Sequence, residues 1–231
     1  KDMKLLIIRH GDPDYSIDSL TERGKIEAAL LKKRLDKIDI KKAYVSPLGR
    51  AALTCEIALG KRPIERETKD WLREFCYIWD RLPEEYNAER DVLDSKNWLD
   101  SPRFTDGVVK EHYAAVCDGL DEVLAAHGYK RNGYGYDVVT PNEDTIAFFC
   151  HFGLESVLIS RLLGVSPYPF FQGFCALTTS VTTFVTEERR QGKAAFRCIG
   201  FGDVSHLYAE GKEPSFAARF AEVYGNGDRL D

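Results

Sequence analysis

The sequence has no Cys-x-x-Cys pair, no His-x-x-x-His or His-Glu-x-x-His, and no Gly-x-x-x-x-Gly-Lys. The first absence excludes a zinc ribbon and a thioredoxin-type redox motif. The second removes the spacings at which one helix seats a catalytic metal. The third removes the phosphate-cradling loop of nucleotide hydrolases. Basic residues are not in excess either: the net charge is −5, and binding nucleic acid through its backbone needs a positive footprint. No apolar run reaches the roughly 18 residues of a membrane-spanning helix. There is no internal repeat and no low-complexity tract.

What remains is a composition that builds a core. Of 231 residues 44% are hydrophobic and 30% charged, which argues against disorder. The expectation is one domain over 1–231. Cys55, Cys76, Cys117, Cys150, Cys175 and Cys198 lie mostly in apolar stretches and read as small buried hydrophobes in a reducing compartment. No secretory signal precedes the first strand, Met3 is the one methionine and a candidate start, and a cytoplasmic location is expected.

The first strand is Lys4-Leu5-Leu6-Ile7-Ile8, and it ends abruptly in Arg9-His10-Gly11. Four consecutive apolar residues predict a strand buried on both faces. Thr21 is placed to cap a helix whose apolar stripe is Ile26, Leu30, Leu31, Leu35 and Ile38, with Lys25, Glu27, Lys32 and Lys33 on its solvated face. A short strand, Ala43-Tyr44-Val45, stops at Ser46-Pro47 before a helix over about 49–59. Arg50 sits in that helix's first turn, against the macrodipole, a placement that makes sense with an anion in front of both.

Residues 63–65 suggest another short strand, and 83–106 short helices and loops. A longer helix is expected from 105 or 106 to about 126, with His112 and His127 as structural residues. Residues 128–136 read as a plain surface loop, with the covering of a site by its tyrosines and two cations as the less favoured alternative. Thr145–Cys150 is a second strongly apolar strand ending in His151-Phe152-Gly153, again followed by a helix. Residues 176–186 and 194–201 predict an antiparallel hairpin around Gly192-Lys193, and 217–223 a short helix in the tail. The predicted fold is therefore α/β: three α/β/α layers on a mostly parallel sheet, a helical, cap-like insertion at about 76–140 over the active-site edge, and a C-terminal β-hairpin.

Two stretches share one plan: apolar strand, histidine, glycine, helix. In a parallel sheet both histidines emerge at the carboxyl edge, where open α/β sheets bind ligands. Arg9 and Arg50 reach the same edge. Two histidines and two arginines without a nearby thiol suit a phosphoryl group. Guanidinium forks grip phosphate oxygens and never deprotonate. Neighbouring cations keep an imidazole neutral and nucleophilic at pH 7.

Arg9-His10-Gly11, Leu20-Thr21-x-x-Gly24, Ser46-Pro47-Leu48-x-Arg50-Ala51-x-x-Thr54 and the late strand-His151-x-Gly153 occur in an order that resembles the histidine phosphatase superfamily, the phosphoglycerate mutase-like group. The resemblance covers roughly the first 75 residues and 145–165. It implies that His10 is the nucleophile and forms a phosphohistidine. Arg9, Arg50 and His151 then surround the phosphoryl group, with Gly11 in the phosphate-binding segment. A carboxylate protonates the leaving oxygen and later activates water. Glu74, in Leu72-Arg73-Glu74, occupies the position where relatives carry it, and Glu84 and Glu85 are the fallbacks. His206 in Ser205-His206-Leu207 resembles a structural His-Leu of relatives. No cofactor and no metal are implied.

Mutases of this type usually follow Arg-His-Gly with Glu and then Trp-Asn. Here the chain reads Asp12-Pro13-Asp14-Tyr15-Ser16, and no arginine follows His151 in Phe152-Gly153-Leu154-Glu155. Both departures favour a phosphomonoesterase acting on a small phosphate ester. A phosphoglycerate-type mutase and a non-catalytic phospholigand-binding domain stay open as alternatives, with a metallohydrolase built on His10 and His151 behind them. The specificity wall is expected from 76–140, with Trp79, Tyr86, Trp98, Phe104 and Tyr134 as candidates and core packing as the default for each.

Overall fold

A computed structural model describes residues 2–76, 94, 96–101, 104 and 107–215, with the backbone of 222–223 and 226–229. Strand β1 (Lys4–Arg9) lies inside an eight-stranded mixed sheet. A small hairpin, β2 (Pro13–Asp14) and β3 (Ser19–Leu20), leads into helix α1 (Glu22–Leu35). Strand β4 (Lys42–Val45), helix α2 (Gly49–Leu59) and strand β5 (Glu65–Thr68) follow, then a 3-10 turn at Asp70–Leu72. Helix α3 (Val108–Ala126), strands β6 (Tyr129–Asn132), β7 (Gly135–Val138) and β8 (Thr145–Cys150), and helices α4 (Phe152–Leu163) and α5 (Tyr168–Gly173) come next. The long hairpin β9 (Val181–Arg190) and β10 (Lys193–Asp203), helix α6 (Ser205–Tyr208), and the backbone pair β11 (Glu222–Val223) and β12 (Asn226–Arg229) complete the chain.

The sheet order is β5-β4-β8-β1-β9-β10-β7-β6. It is parallel from β5 to β1 and antiparallel from β1 to β6. Side chains of β1 alternate between two cores, as the pleat requires. Met3, Leu5 and Ile7 pack with Phe148, Leu154, Val157 and Leu158. Leu6 and Ile8 pack with Leu31, Leu35, Ala58 and Leu59. Each fully buried Leu or Ile contributes roughly 1.5–3 kcal/mol, so the four consecutive apolar residues of β1 fix the strand between two layers of helices. The three-layer reading and the C-terminal hairpin match this architecture.

Several local expectations are corrected. Helix α1 buries Gly24, Glu27, Ala28, Leu31 and Leu35, while Ile26 is exposed. Glu27 goes inside because its carboxylate accepts the backbone N–H groups of Asp12 (2.9 Å) and Ser215 (3.0 Å). The segment 128–136 is not a loop but most of the β6–β7 hairpin, seated on β10 through Ala194 and Tyr136. Within 76–140, residues 108–138 belong to the main body: α3 packs its Val116, Leu120 and Leu124 into the core with Tyr129 and Tyr136. Most of 77–106 lies outside the described residues. Trp98 and Phe104 are core residues and Tyr134 is exposed, whereas Trp79, Tyr86, Glu84 and Glu85 lie outside the described residues. Cys55, Cys117 and Cys150 are buried as expected, but Cys76 and Cys198 are exposed. Of the tail helix expected at 217–223, the last two residues form β11 instead.

Candidate active site

Parallel register brings three strand ends to one edge. Arg9 pairs with Cys150, and Val45 with Phe149. The next residues, His10, His151 and Ser46, therefore leave the sheet side by side. His10 N donates to Cys150 O and Ser46 N to Phe149 O, both at 3.0 Å.

His10 is buried, and its Nδ1 lies 2.7 Å from Gly11 O. A carbonyl only accepts, so Nδ1 carries the proton and Nε2 keeps its lone pair. Arg50 Nε approaches that Nε2 at 3.4 Å, and the His151 ring centroid lies 5.2 Å from that of His10. Burial first, then Arg9, with Arg50 adding to it, hold the His10 imidazole well below its usual range. The same edge lowers His151, through burial and then His10, Arg50 and Arg9. Both rings are thus neutral at pH 7. His151 Nε2 meets Ser46 Oγ at 2.8 Å, which fixes the ring plane.

The two guanidiniums are held by different partners. Arg9, at the end of β1, is buried, donates from Nη1 to Ala176 O, and lies 5.8 Å from the Phe152 ring centroid. Arg50, in the first turn of α2, donates to Asp18 Oδ1 at 2.5 Å, while Asp18 Oδ2 accepts Gly49 N at 2.6 Å. Gly11 N donates to Thr54 Oγ1 at 3.0 Å, which ties the segment after the nucleophile to α2. Gly11 and Gly24 have to be glycines: a Cβ on Gly11 meets Gly24 O at 2.7 Å, and one on Gly24 meets Asp12 O at 2.3 Å.

Glu74 joins the same edge. Its Oε1 accepts the N–H of Leu154 at 3.0 Å, in the first turn of α4, and of Phe75 at 2.9 Å. It thereby satisfies one of the free donors at a helix N-terminus. Burial raises its pKa, opposed by Arg9, the Leu154 N–H, Arg50 and the Phe75 N–H. Glu74 also lines a cleft of about 580 Å³ with Trp71, Arg73, His112 and Asp118. The structure so brings together His10, His151, Arg9, Arg50, Gly11 and Glu74. Among the described residues no group of three or more His, Cys, Asp or Glu is arranged to hold a metal ion.

Sequence reasoning missed the supporting residues. Asp18, at positive φ (47°), anchors Arg50. Residues 176–180 supply the Ala176 carbonyl under Arg9 and the Thr179 N–H that donates to His10 O at 3.1 Å. His206, which the sequence did single out as a structural residue, places its Nε2 3.1 Å from Thr179 Oγ1, one residue removed from the nucleophile's backbone.

The chain matches the family model of the histidine phosphatase superfamily (branch 1) over residues 5–198. It is 24% identical over 226 residues to a probable phosphatase of Schizosaccharomyces pombe, covering 90% of this chain and 97% of that protein. It is 27% identical over 203 residues to phosphoserine phosphatase 1 of Hydrogenobacter thermophilus, covering 81% and 89%. Two solved structures share the fold: a phosphoserine phosphatase variant from Entamoeba histolytica in complex with phosphoserine, at TM-score 0.58 and 22% identity over 89% of this chain and 99% of that one; and an alpha-ribazole phosphatase from Shigella flexneri, at TM-score 0.58 and 19% identity over 87% and 97%.

Proposed function

The chain belongs to branch 1 of the histidine phosphatase superfamily, and from that premise we propose that it hydrolyses the phosphate monoester of a small metabolite through a phosphohistidine on His10. The observation that carries the reading is the Nδ1–H of His10 committed to Gly11 O, with Nε2 as a buried lone pair that accepts only a long contact from Arg50 Nε at 3.4 Å. In the first step Nε2 attacks phosphorus and the ester P–O bond breaks. Glu74, protonated, gives its proton to the leaving oxygen. In the second step a water attacks phosphorus, Glu74 takes the water's proton, and the P–N bond breaks. Phosphate leaves, with His10 neutral and Glu74 protonated again.

Arg9, Arg50 and His151 hold the non-bridging oxygens through both steps. Fixed donors in a dry site stabilise charge where it develops, without reorganisation. The reaction needs no metal ion. Phosphoserine is the first substrate to test, since two of the relatives are phosphoserine phosphatases.

The expected result is that His10→Ala abolishes hydrolysis of p-nitrophenyl phosphate and phosphoserine, while a chelator leaves the wild type unchanged. In the wild type, quenching in alkali, where the P–N bond of a phosphohistidine is stable, traps a phosphoryl group on histidine. Full activity in His10→Ala rejects the mechanism, and loss of wild-type activity on chelation rejects metal independence.

A further inference from the structure

Thr179 stands in the left-handed region of the backbone (φ 56°), in the turn that Ser180 N closes by donating to Leu177 O at 3.0 Å. Such a turn position favours glycine or asparagine, and for a β-branched residue a positive φ is strained. Among the described residues Asp18 is the one other non-glycine residue at positive φ, and it holds Arg50. A strained residue persists only where its surroundings over-determine it.

The fully buried Thr179 has the nucleophile on one side and His206 on the other. Its N–H donates to His10 O at 3.1 Å, and its Oγ1 is hydrogen-bonded to His206 Nε2 at 3.1 Å. His206 is buried in α6, and its Nδ1 has no hydrogen-bond partner among the described residues, so the ring spends its hydrogen bonding on Thr179. His10 O and Gly11 N belong to one peptide plane. Thr179 holds the oxygen of that plane, and Thr54 Oγ1 holds its N–H at 3.0 Å. The plane sets the direction in which Gly11 continues, and Gly11 O accepts the Nδ1–H of His10 at 2.7 Å. A continuous chain of contacts thus runs from His206 through Thr179 and the His10–Gly11 peptide to the imidazole. Arg9 ties itself to the same turn, with its N donating to Ser180 O at 3.2 Å and its Nη1 to Ala176 O.

Resting on the phosphatase reading above, we propose that Thr179 is a positioning residue for the nucleophile, and that its hydrogen bond to His206 keeps it left-handed with its N–H on His10 O. Without that bond the turn relaxes toward negative φ, which a residue with a Cβ prefers, and the Thr179 N–H swings away from His10 O. The peptide after the nucleophile then loses one of its two clamps. The imidazole loses part of the pre-set direction that attack on phosphorus requires. Glycine needs no such hold, because it takes positive φ about as readily as negative. The role therefore orders variants in a way that packing does not. If Thr179 only fills space, removing more of it does more harm, and glycine is worse than alanine. If it presents a left-handed N–H, alanine is worse than glycine.

The test is kcat/KM on p-nitrophenyl phosphate, which reports the first step, with circular dichroism to confirm folding. The variants are Thr179→Ser, Thr179→Ala, Thr179→Gly, His206→Ala, and Thr179→Gly combined with His206→Ala. Thr179→Ser keeps the hydroxyl and stays within about twofold of the wild type. Thr179→Ala and His206→Ala each fall about tenfold, the size of effect that a non-glycine residue's preference against the left-handed region allows. Thr179→Gly stays within about threefold of the wild type. Adding His206→Ala to it costs less than about twofold, because the bond is already gone. Activity of Thr179→Gly at or below that of Thr179→Ala overturns the proposal, as does a His206→Ala cost that is the same in both backgrounds. Should His206→Ala not fold, the order of the three Thr179 variants decides alone. A Thr179→Gly protein that does not fold is the packing outcome and also overturns the proposal. A wild type that hydrolyses the ester, with variants in the packing order, removes the Thr179 role and leaves the phosphatase reading standing. A wild type without hydrolysis removes that reading, and this role with it.

Discussion

A group that gives a proton in one step and recovers it in the next works best with a pKa close to the working pH. Burial raises Glu74 toward that range, while two backbone N–H groups and two arginines keep its carboxylate accessible. Glu74→Gln is informative because the amide oxygen still accepts from Leu154 and Phe75, whereas no acidic proton is left to give. On phosphoserine, whose alkoxide leaves poorly, kcat is expected to fall about 10²–10⁴-fold. On p-nitrophenyl phosphate, whose phenolate leaves without a proton, the fall in the first step is much smaller. Because the second step is common to both substrates and also uses Glu74, the comparison is made on kcat/KM, which reports the first step, and equal losses there would assign the proton given to the leaving oxygen to another group. At this scale the convergence of His10, Arg50 and His151 on one sheet edge was legible because each stands beside an apolar run or a tight turn, whereas Glu74 was singled out only through the resemblance to relatives. Asp18 and Thr179 were not legible. Asp18 and Arg50 are separated by 32 residues, and no local pattern announces a contact of that kind.

Elements meet at the site through backbone contact as well as side chains. The turn after β1 and the first turn of α1 touch at Gly11, Asp12 and Gly24, so closely that a Cβ on Gly24 would stand 2.3 Å from Asp12 O and 2.8 Å from Asp12 N. Both atoms are backbone and cannot step aside. Gly24→Ala therefore pushes α1 away from the segment that follows His10. The expected cost is about 1–3 kcal/mol, the usual range for overpacking, read as a lower urea midpoint at unchanged slope. Because the displaced segment is continuous with the nucleophile, kcat/KM falls as well. A Gly24→Ala protein with both values unchanged would show that the contact yields without cost. The Leu20-Thr21-x-x-Gly24 pattern is explained here: Thr21 Oγ1 caps α1 through Gly24 N at 3.0 Å, and Gly24 makes room for Asp12. Elements with strong patterns, β1, α2, α3, β8 and α4, were read within a few residues. The β6–β7 hairpin was not, because its strands are four residues each and rich in charge and tyrosine, which reads as loop until β10 is seen to pair with it.

Over the whole molecule, the site fastens the layers to one another. Arg9 belongs to the central strand, Arg50 to the helix over one face, and His151 to the turn entering the helix over the other. β1 itself shares its side chains between both cores. An anion held by these groups binds only when sheet and both helical layers are assembled, and so binds the native state and not the unfolded chain. By mass action, phosphate at a hundred times its Kd adds about 2.7 kcal/mol of stability. At about 2–4 °C per kcal/mol for a domain of this size, the unfolding midpoint rises by roughly 5–11 °C at pH 7. Arg50→Ala should abolish most of that rise, since Asp18 is then left facing the pocket without its cation. The measurement is differential scanning calorimetry with and without phosphate, at a phosphate concentration that inhibits hydrolysis. A single transition that moves as a whole means that pocket, sheet and both layers unfold together. Two transitions, with only one shifted by phosphate, would mean that the layers are not coupled through the site, and would separate the pocket's stability from that of the fold.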